Sequence, residues 1–278
     1  MRIIGLASML ACALIGLAGR SGQGEDGLVP SDTTLAPFRD SIPGTLVEFE
    51  MIPVPAGSVT VRSESGDTTI ALASFWIGKT EVTWNEYDVF AYRLDLPQER
   101  RALAEDAASR PSRPYAPPDY GYGHDGYAAI CVTYRAALEY AKWLSAKTGK
   151  SYRLPTEAEW QLAAQAGLAP DAALDAGSLG GIAWFADNAG EKTMAVASLA
   201  PNALGAYDLL GNVAEWVVGL DGKPITAGGS FRDPADQVQV SARARQARSW
   251  NQTDPQIPKS RWWLSDGFFV GFRLVREP

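Results

Sequence analysis

"DLLGNVAEWV", Asp208–Val217, decides how this chain is read. Two carboxylates, Asp208 and Glu215, flank a Gly-Asn turn inside an otherwise apolar run. A core strand excludes charges unless they are paired, and a surface loop does not crowd Leu209, Leu210, Val213, Trp216 and Val217 together. The stretch fits neither a core strand nor a surface loop, and the two acids require an explanation.

The rest of the chain supports a folded domain around it. It has 278 residues, 46% of them hydrophobic and 21% charged, which is enough to bury a core. The 27 glycines and nine tryptophans point to a turn-rich fold pinned by large aromatic side chains, not a helical bundle. The net charge is −7 and no basic cluster is present, which excludes a protein that tracks phosphate backbones; no nucleic-acid partner is expected.

At the N-terminus, Arg2 precedes an apolar run from Ile3 to Ala18 with small residues at its end. This is the pattern of a signal peptide over residues 1–19, cleaved after Gly16-Leu17-Ala18. An uncleaved anchor is the alternative. Cys12, after Met9-Leu10-Ala11, offers lipidation as a minor reading. These are the only routes by which a membrane enters, and they place the chain outside the cell, in the periplasm or in the cell envelope. The other cysteine, Cys131, lies in the strand-like run "YAAICVTY" and is expected to be a buried, inert thiol. With the signal removed no internal disulfide can form.

A single histidine, His124, removes whole classes of chemistry. No two- or three-histidine metal site can be built. A Ser-His-Asp triad would need His124, which sits in a Pro/Tyr/Gly loop and reads as a residue with a local hydrogen bond. No nucleophile elbow, phosphate-binding loop or dinucleotide fingerprint occurs.

Along the chain, residues 20–45 read as a linker. Residues 46–62 give a strand, a turn and a second strand; "SESGDTTIAL" returns as a hairpin into "ALASFWIGKTEV". "TWNE", Thr83 to Glu86, is a capping box that starts a helix over about 84–93. Residues 95–128 read as a long surface insertion. Thr133 caps a second helix with the stripe Ala137, Tyr140, Ala141 and Leu144, ended by Gly149. Thr156 and Glu159 form another capping box, with Trp160 and Ala163 facing inward and Gly167 closing the element. The rest is short strand-turn units. The expectation is one α+β domain over residues 46–278 with little regular secondary structure in its second half.

"EVTWNEY", "YRLPTEAEW", "LLGNVAEWV", "AGGSFR" and "GFRLV" occur in this order. Together the chain resembles the formylglycine-generating enzyme, or sulfatase-modifying factor, family. The resemblance implies that family's α+β fold, which is related to C-type lectins. Relatives include ergothioneine sulfoxide synthases and a periplasmic pyoverdine-maturation protein. Members that oxidise a sulfatase cysteine to formylglycine bind copper through two cysteines shortly after "GGS". By spacing from Ser230 those positions fall on Asp233 and Val238. Copper(I) requires soft thiolates, so copper is not expected and the family's signature oxidation should be absent. The resemblance supplies the fold and not the chemistry.

It also implies a structural calcium ion held by the Asp208 side chain, the Gly211 and Val213 carbonyls and the Glu215 side chain, a set of oxygens suited to a hard cation. The alternative is a buried salt bridge, with Arg153 as a partner for Glu215 and Asp208 as a turn acid. Asn188 matches one ligand of a second calcium site, whose other ligands are not carried over.

Two functions compete. The first is an exported module that binds a peptide or glycan in a groove lined by residues 228–263. Ser230, Asp233, Arg243, Arg245 and Arg248 would be its polar contacts, and Trp250, Trp262 and Trp263 its flat apolar faces. The same arginines and tryptophans read equally well as ion-paired and core residues. The second is an envelope enzyme for oxidative modification of a substrate, with Asp233, Tyr134 or Glu159 as acid or base. "RLPTEAEW" is explained fully as a capped amphipathic helix.

Overall fold

The computed structural model describes residues 35–63, 66–101, 110–168 and 174–278. The signal peptide, Cys12 and residues 20–34 lie outside these residues.

The helices form where caps and apolar stripes place them. Helix α1, Trp84–Ala91, starts at Thr83, whose backbone N–H and hydroxyl both donate to the Glu86 carboxylate at 3.0 and 2.8 Å. A four-residue turn of helix, α2, spans Gln98–Arg101. In α3, Tyr134–Thr148, the Thr133 hydroxyl accepts from Ala136 N at 3.1 Å. Gly149 ends it in the left-handed region at φ 70°. Its expected stripe of Ala137, Tyr140, Ala141 and Leu144 is buried. The Thr156–Glu159 capping box opens α4, Glu157–Ala164, with Trp160 and Ala163 fully buried. A short α5 covers Ala176–Leu179.

Among the described residues the strands make three sheets. Strands β1 (Phe38–Ser41), β2 (Glu48–Val54), β5 (Phe75–Gly78), β6 (Tyr152–Arg153) and β11 (Val275–Arg276) form a five-stranded sheet in the order β1-β2-β5-β11-β6. β3 (Gly57–Ser63) and β4 (Gly66–Leu72) form the expected hairpin. β7 (Ala214–Val218), β8 (Pro224–Ala227), β9 (Arg243–Ala244) and β10 (Val270–Gly271) form a third sheet in the order β10-β7-β8-β9.

Two features of this topology build the site. β10 runs parallel to β7 with Gly271 opposite Glu215, whereas β11, four residues on, is paired between β5 and β6. The segment "GFRLV" thus crosses from one sheet to another, and Arg273 lies at the crossing beside Glu215. Gly211, Gly228 and Gly229 occupy left-handed backbone, at φ 73°, 91° and 72°. A Cβ at Gly211 would come within 2.2 Å of the Trp184 carbonyl oxygen. Only glycine permits that approach.

The sequence boundaries need two corrections. The linker does not extend to residue 45: Phe38–Ser41 pairs antiparallel with β2, Phe38 opposite Met51. Phe38 alternates with the polar Arg39 and Asp40, and the strand is too short for its period to show. The segment 95–128 is not merely a surface insertion. Arg110 is buried and pairs with Asp95 at 2.7 Å, Tyr122 packs on Phe231, and Ala128 belongs to the core.

Candidate functional site

The acids that opened the reading lie deep in the molecule. Asp208, Glu215 and a third carboxylate, Glu81, are all buried. Glu215 is held by Arg273: Nε lies 2.9 and 2.7 Å from its two oxygens, and Nη2 lies 2.6 Å from Oε1. Trp160 Nε1 donates to Oε2 at 2.9 Å. Arg273 is itself fully buried and donates to the Gly78 and Tyr207 carbonyls. The salt-bridge reading therefore holds in kind, with a different partner. Arg153 instead pairs with Glu159 and Glu277.

Around this pair, Asp208 accepts from Ala197 N at 2.7 Å and Glu81 accepts from Asn212 Nδ2 at 3.0 Å. Oε2 of Glu81 is buried and finds no partner among the described residues. Burial pushes the Asp208 carboxyl up to about 6. Burial, reinforced by the Asp208 charge, lifts Glu81 well above the usual carboxylate range. One guanidinium thus faces three carboxyls, and protons on Glu81 and Asp208 reduce the excess.

The arrangement does not fit calcium at Glu215. Both oxygens of that carboxylate are engaged by a guanidinium, which a second cation would have to displace. Among the described residues, no three His, Cys, Asp or Glu side chains converge on one ion position. Asn188, matched to a second ion, instead closes a turn by accepting from Phe185 N and donating to the Ala183 carbonyl.

Asp233 and Val238, where the resemblance places the copper-binding cysteines, both have structural contacts. The Asp233 carboxylate accepts from Ser230 N at 2.8 Å and from Ser230 Oγ at 2.7 Å, closing a turn. Val238 is completely buried in an apolar cluster with Trp160, Leu209 and Val217. A carboxylate used in a turn and a core valine offer no soft donors, so copper does not fit.

Beside them a cavity of ≈ 480 Å³ remains open. Asp233, Arg243, Arg245 and Trp250 line it, as the sequence groups them. Arg232, Asp236 and Phe269 also line it and were not singled out in the sequence. The Arg232 guanidinium carbon lies over the Phe269 ring, 3.4 Å from its centroid, and the side chain is 43% exposed. Arg245 pairs with Asp221 at the surface. Arg243 is already committed: it bonds Glu157 at 2.8 Å, Gln161 at 3.1 Å and two backbone carbonyls, and lies over Trp160.

The rest of the expected groove is dispersed. Arg248 is exposed and lies outside this lining. Trp262 and Trp263 are buried, and Trp263 faces a different cavity. Neither Tyr134, packed on Trp216, nor Glu159, bound to Arg153, lines the space beside Asp233. His124 makes the expected local hydrogen bond, to Asp119 at 3.1 Å, and also a long-range one, to Asp88 on α1 at 2.9 Å.

The sulfatase-modifying factor enzyme 1-like domain matches residues 45–278. The chain belongs to this family. The sulfatase-modifying factor assignment agrees with solved folds: PvdO from Pseudomonas aeruginosa superposes with a TM-score of 0.61 at 27% identity, covering 85% of this chain and 99% of that one. The chaperone protein LppX of Paenibacillus barcinonensis is 28% identical over 218 residues, 68% of this chain and 78% of LppX. A serine/threonine-protein kinase, pkn1 of Chlamydia pneumoniae, is 37% identical over 106 residues. That match spans 34% of this chain and only 14% of the kinase, so the named kinase activity does not transfer.

Proposed function

We propose that this protein is an exported binding module that recognises a peptide or glycan in the cavity beside Asp233, and that it does not generate formylglycine. One observation carries the reading. The two positions that would hold copper are a turn carboxylate and a core valine, while the neighbouring ≈ 480 Å³ cavity is still open and walled by charged and aromatic side chains. A site of this size with a few directed polar groups suits a small segment of polymer. Arg232 offers a guanidinium already placed over Phe269, Arg245 a second cation, and Asp233 and Asp236 acceptors for hydroxyl or amide donors.

Export rests on the apolar run Ile3–Ala18. Among the described residues no helix is long and apolar enough to cross a membrane.

The test is an array of peptides and glycans probed with the purified domain. Hits are then measured again with Arg232→Ala and Arg245→Ala. Removal of either guanidinium should weaken a true ligand by about tenfold, the scale of a charge-assisted hydrogen bond. A hit indifferent to both substitutions contradicts the site.

The oxidative-enzyme alternative requires redox chemistry without the cysteine pair. It predicts oxygen uptake by the protein with copper or iron and a thiol peptide. The donor set beside Asp233 gives no support for that.

A further inference from the structure

A second cavity, of ≈ 560 Å³, lies on a part of the surface that shares no wall residue with the first. The loop 114–121 forms one side and the segment 253–265 the other. Its walls are largely apolar: Pro117, Pro118, Tyr115, Tyr120, Trp263 and Leu264. Each side is fastened. The Tyr120 hydroxyl donates to the Ser265 carbonyl across the cavity, and Trp263 Nε1 donates to the Ser112 carbonyl at 2.8 Å. Trp263 is backed by Trp84 and Tyr87, so its ring cannot swing away. Tyr115, 81% exposed, stands at the rim. The space is therefore preformed and of the size that takes a small organic molecule.

The charge of the wall is one-sided. Among the described residues of the wall, Asp119 and Asp254 are the only carboxylates, and no lysine, arginine or histidine lines it. Asp254 accepts from the Gln256 and Ser260 amides. Asp119 accepts from Gly121 N and pairs with His124, whose other nitrogen already faces Asp88. That leaves one imidazole between two carboxylates. Lys259, in the same loop, directs its ammonium to the Gln252 and Asp254 carbonyls and is not part of the wall. Burial holds the Cys131 thiol, also in the wall, protonated and neutral. Aromatic faces and two carboxylates line the wall, with the basic His124 and Lys259 set behind it, and such a wall favours a positive charge on an apolar body over an anion.

We infer that the cavity between residues 114–121 and 253–265 binds a small hydrophobic organic cation, an aryl- or alkylammonium compound, with its apolar body against Trp263 and Leu264 and its ammonium toward Asp119.

Three probes of the same shape separate charge from shape: phenethylamine, phenethyl alcohol and phenylpropionate, each titrated calorimetrically into the full protein. The amine is expected to bind about tenfold tighter than the alcohol, and the carboxylate more weakly than either. Asp119→Asn, which keeps an acceptor for Gly121 N, should remove the preference for the amine and leave the alcohol unchanged. Tyr115→Ala, at an exposed rim position that does not support the core, should weaken both. The amine should also shift the ring resonances of His124, unambiguous because the chain has no other histidine. The inference is overturned if the amine fails to bind, if the alcohol or the carboxylate binds as tightly, or if the preference survives Asp119→Asn. It is overturned equally if Tyr115→Ala changes nothing.

Discussion

At the level of single residues, Arg273 holds the buried acids together. Burial raises the Glu215 carboxyl above its ordinary value and the Arg273 guanidinium works against that rise, while the donors left over satisfy two carbonyls from other segments. A buried pair of this kind adds little over a well-packed apolar pair, but breaking it leaves a charge with no partner. Arg273→Met should therefore cost about 3–5 kcal/mol in denaturant unfolding. Glu215→Gln with Arg273→Met should cost distinctly less than the sum of the two single changes. The same geometry bears on calcium. With Glu215 held by a guanidinium, addition of calcium or of a chelator should leave the melting temperature unchanged. A rise with calcium would show that the family's ion displaces Arg273. Arg273 was within reach of sequence reading, because "GFRLV" was recognised as a motif. Its role was hidden because Glu215 and Arg273 lie 58 positions apart and meet only through the parallel pairing of β10 on β7. Arg153 stood in another recognised motif, but its own capping-box neighbour, Glu159, takes it.

At the scale of elements, helix starts were legible and strand ends were not. Capping boxes are local: Thr83 with Glu86 and Thr156 with Glu159 announce their helices within four residues, and both are formed. Thr156→Ala should lower stability by about 1 kcal/mol. β1, β9, β10 and β11 have two to four residues each and no period to read; tertiary pairing defines them. The link between α1 and the 119–126 loop is likewise tertiary. His124 stacks on Trp84 at 5.2 Å and bridges Asp88 and Asp119.

Against the cost of burial, those two carboxylates hold the imidazole pKa above its ordinary 6.5. The sign follows from that direction. The bridge contributes its full stability below the unfolded value of 6.5 and loses it as pH rises through the higher folded value. A single-histidine NMR titration should give a midpoint above 6.5, and Asp88→Asn should lower it. A midpoint below 6.5 would contradict the bridge.

At the scale of the whole molecule, the sequence pointed to the family and to the region of the cavity but not to its membership. Motifs in order mark a fold because each is a packing solution: a turn that needs Gly211, a crossing that needs Arg273. Asp233, Arg245 and Trp250 were found because they surround the "GGS" turn. Arg232 is the last residue of the "AGGSFR" motif, but its place in the cavity is not legible there, since only the fold brings Phe269 beneath it. Trp262 and Trp263 were drawn into the groove by proximity in sequence and left it because the backbone turns their rings into the core and toward a second cavity. The molecule retains the framework of its family, and in the proposed reading the two positions that the resemblance matches to thiols, Asp233 and Val238, serve that framework instead, one closing a turn and the other packing in the core.

The most direct measurement follows from that reuse. The purified chain is incubated with oxygen, copper and a cysteine-containing peptide of the sulfatase type, and the peptide is followed by mass spectrometry and by reaction of any aldehyde with a hydrazine. The account predicts unmodified cysteine throughout. An aldehyde formed in proportion to the amount of protein would contradict it.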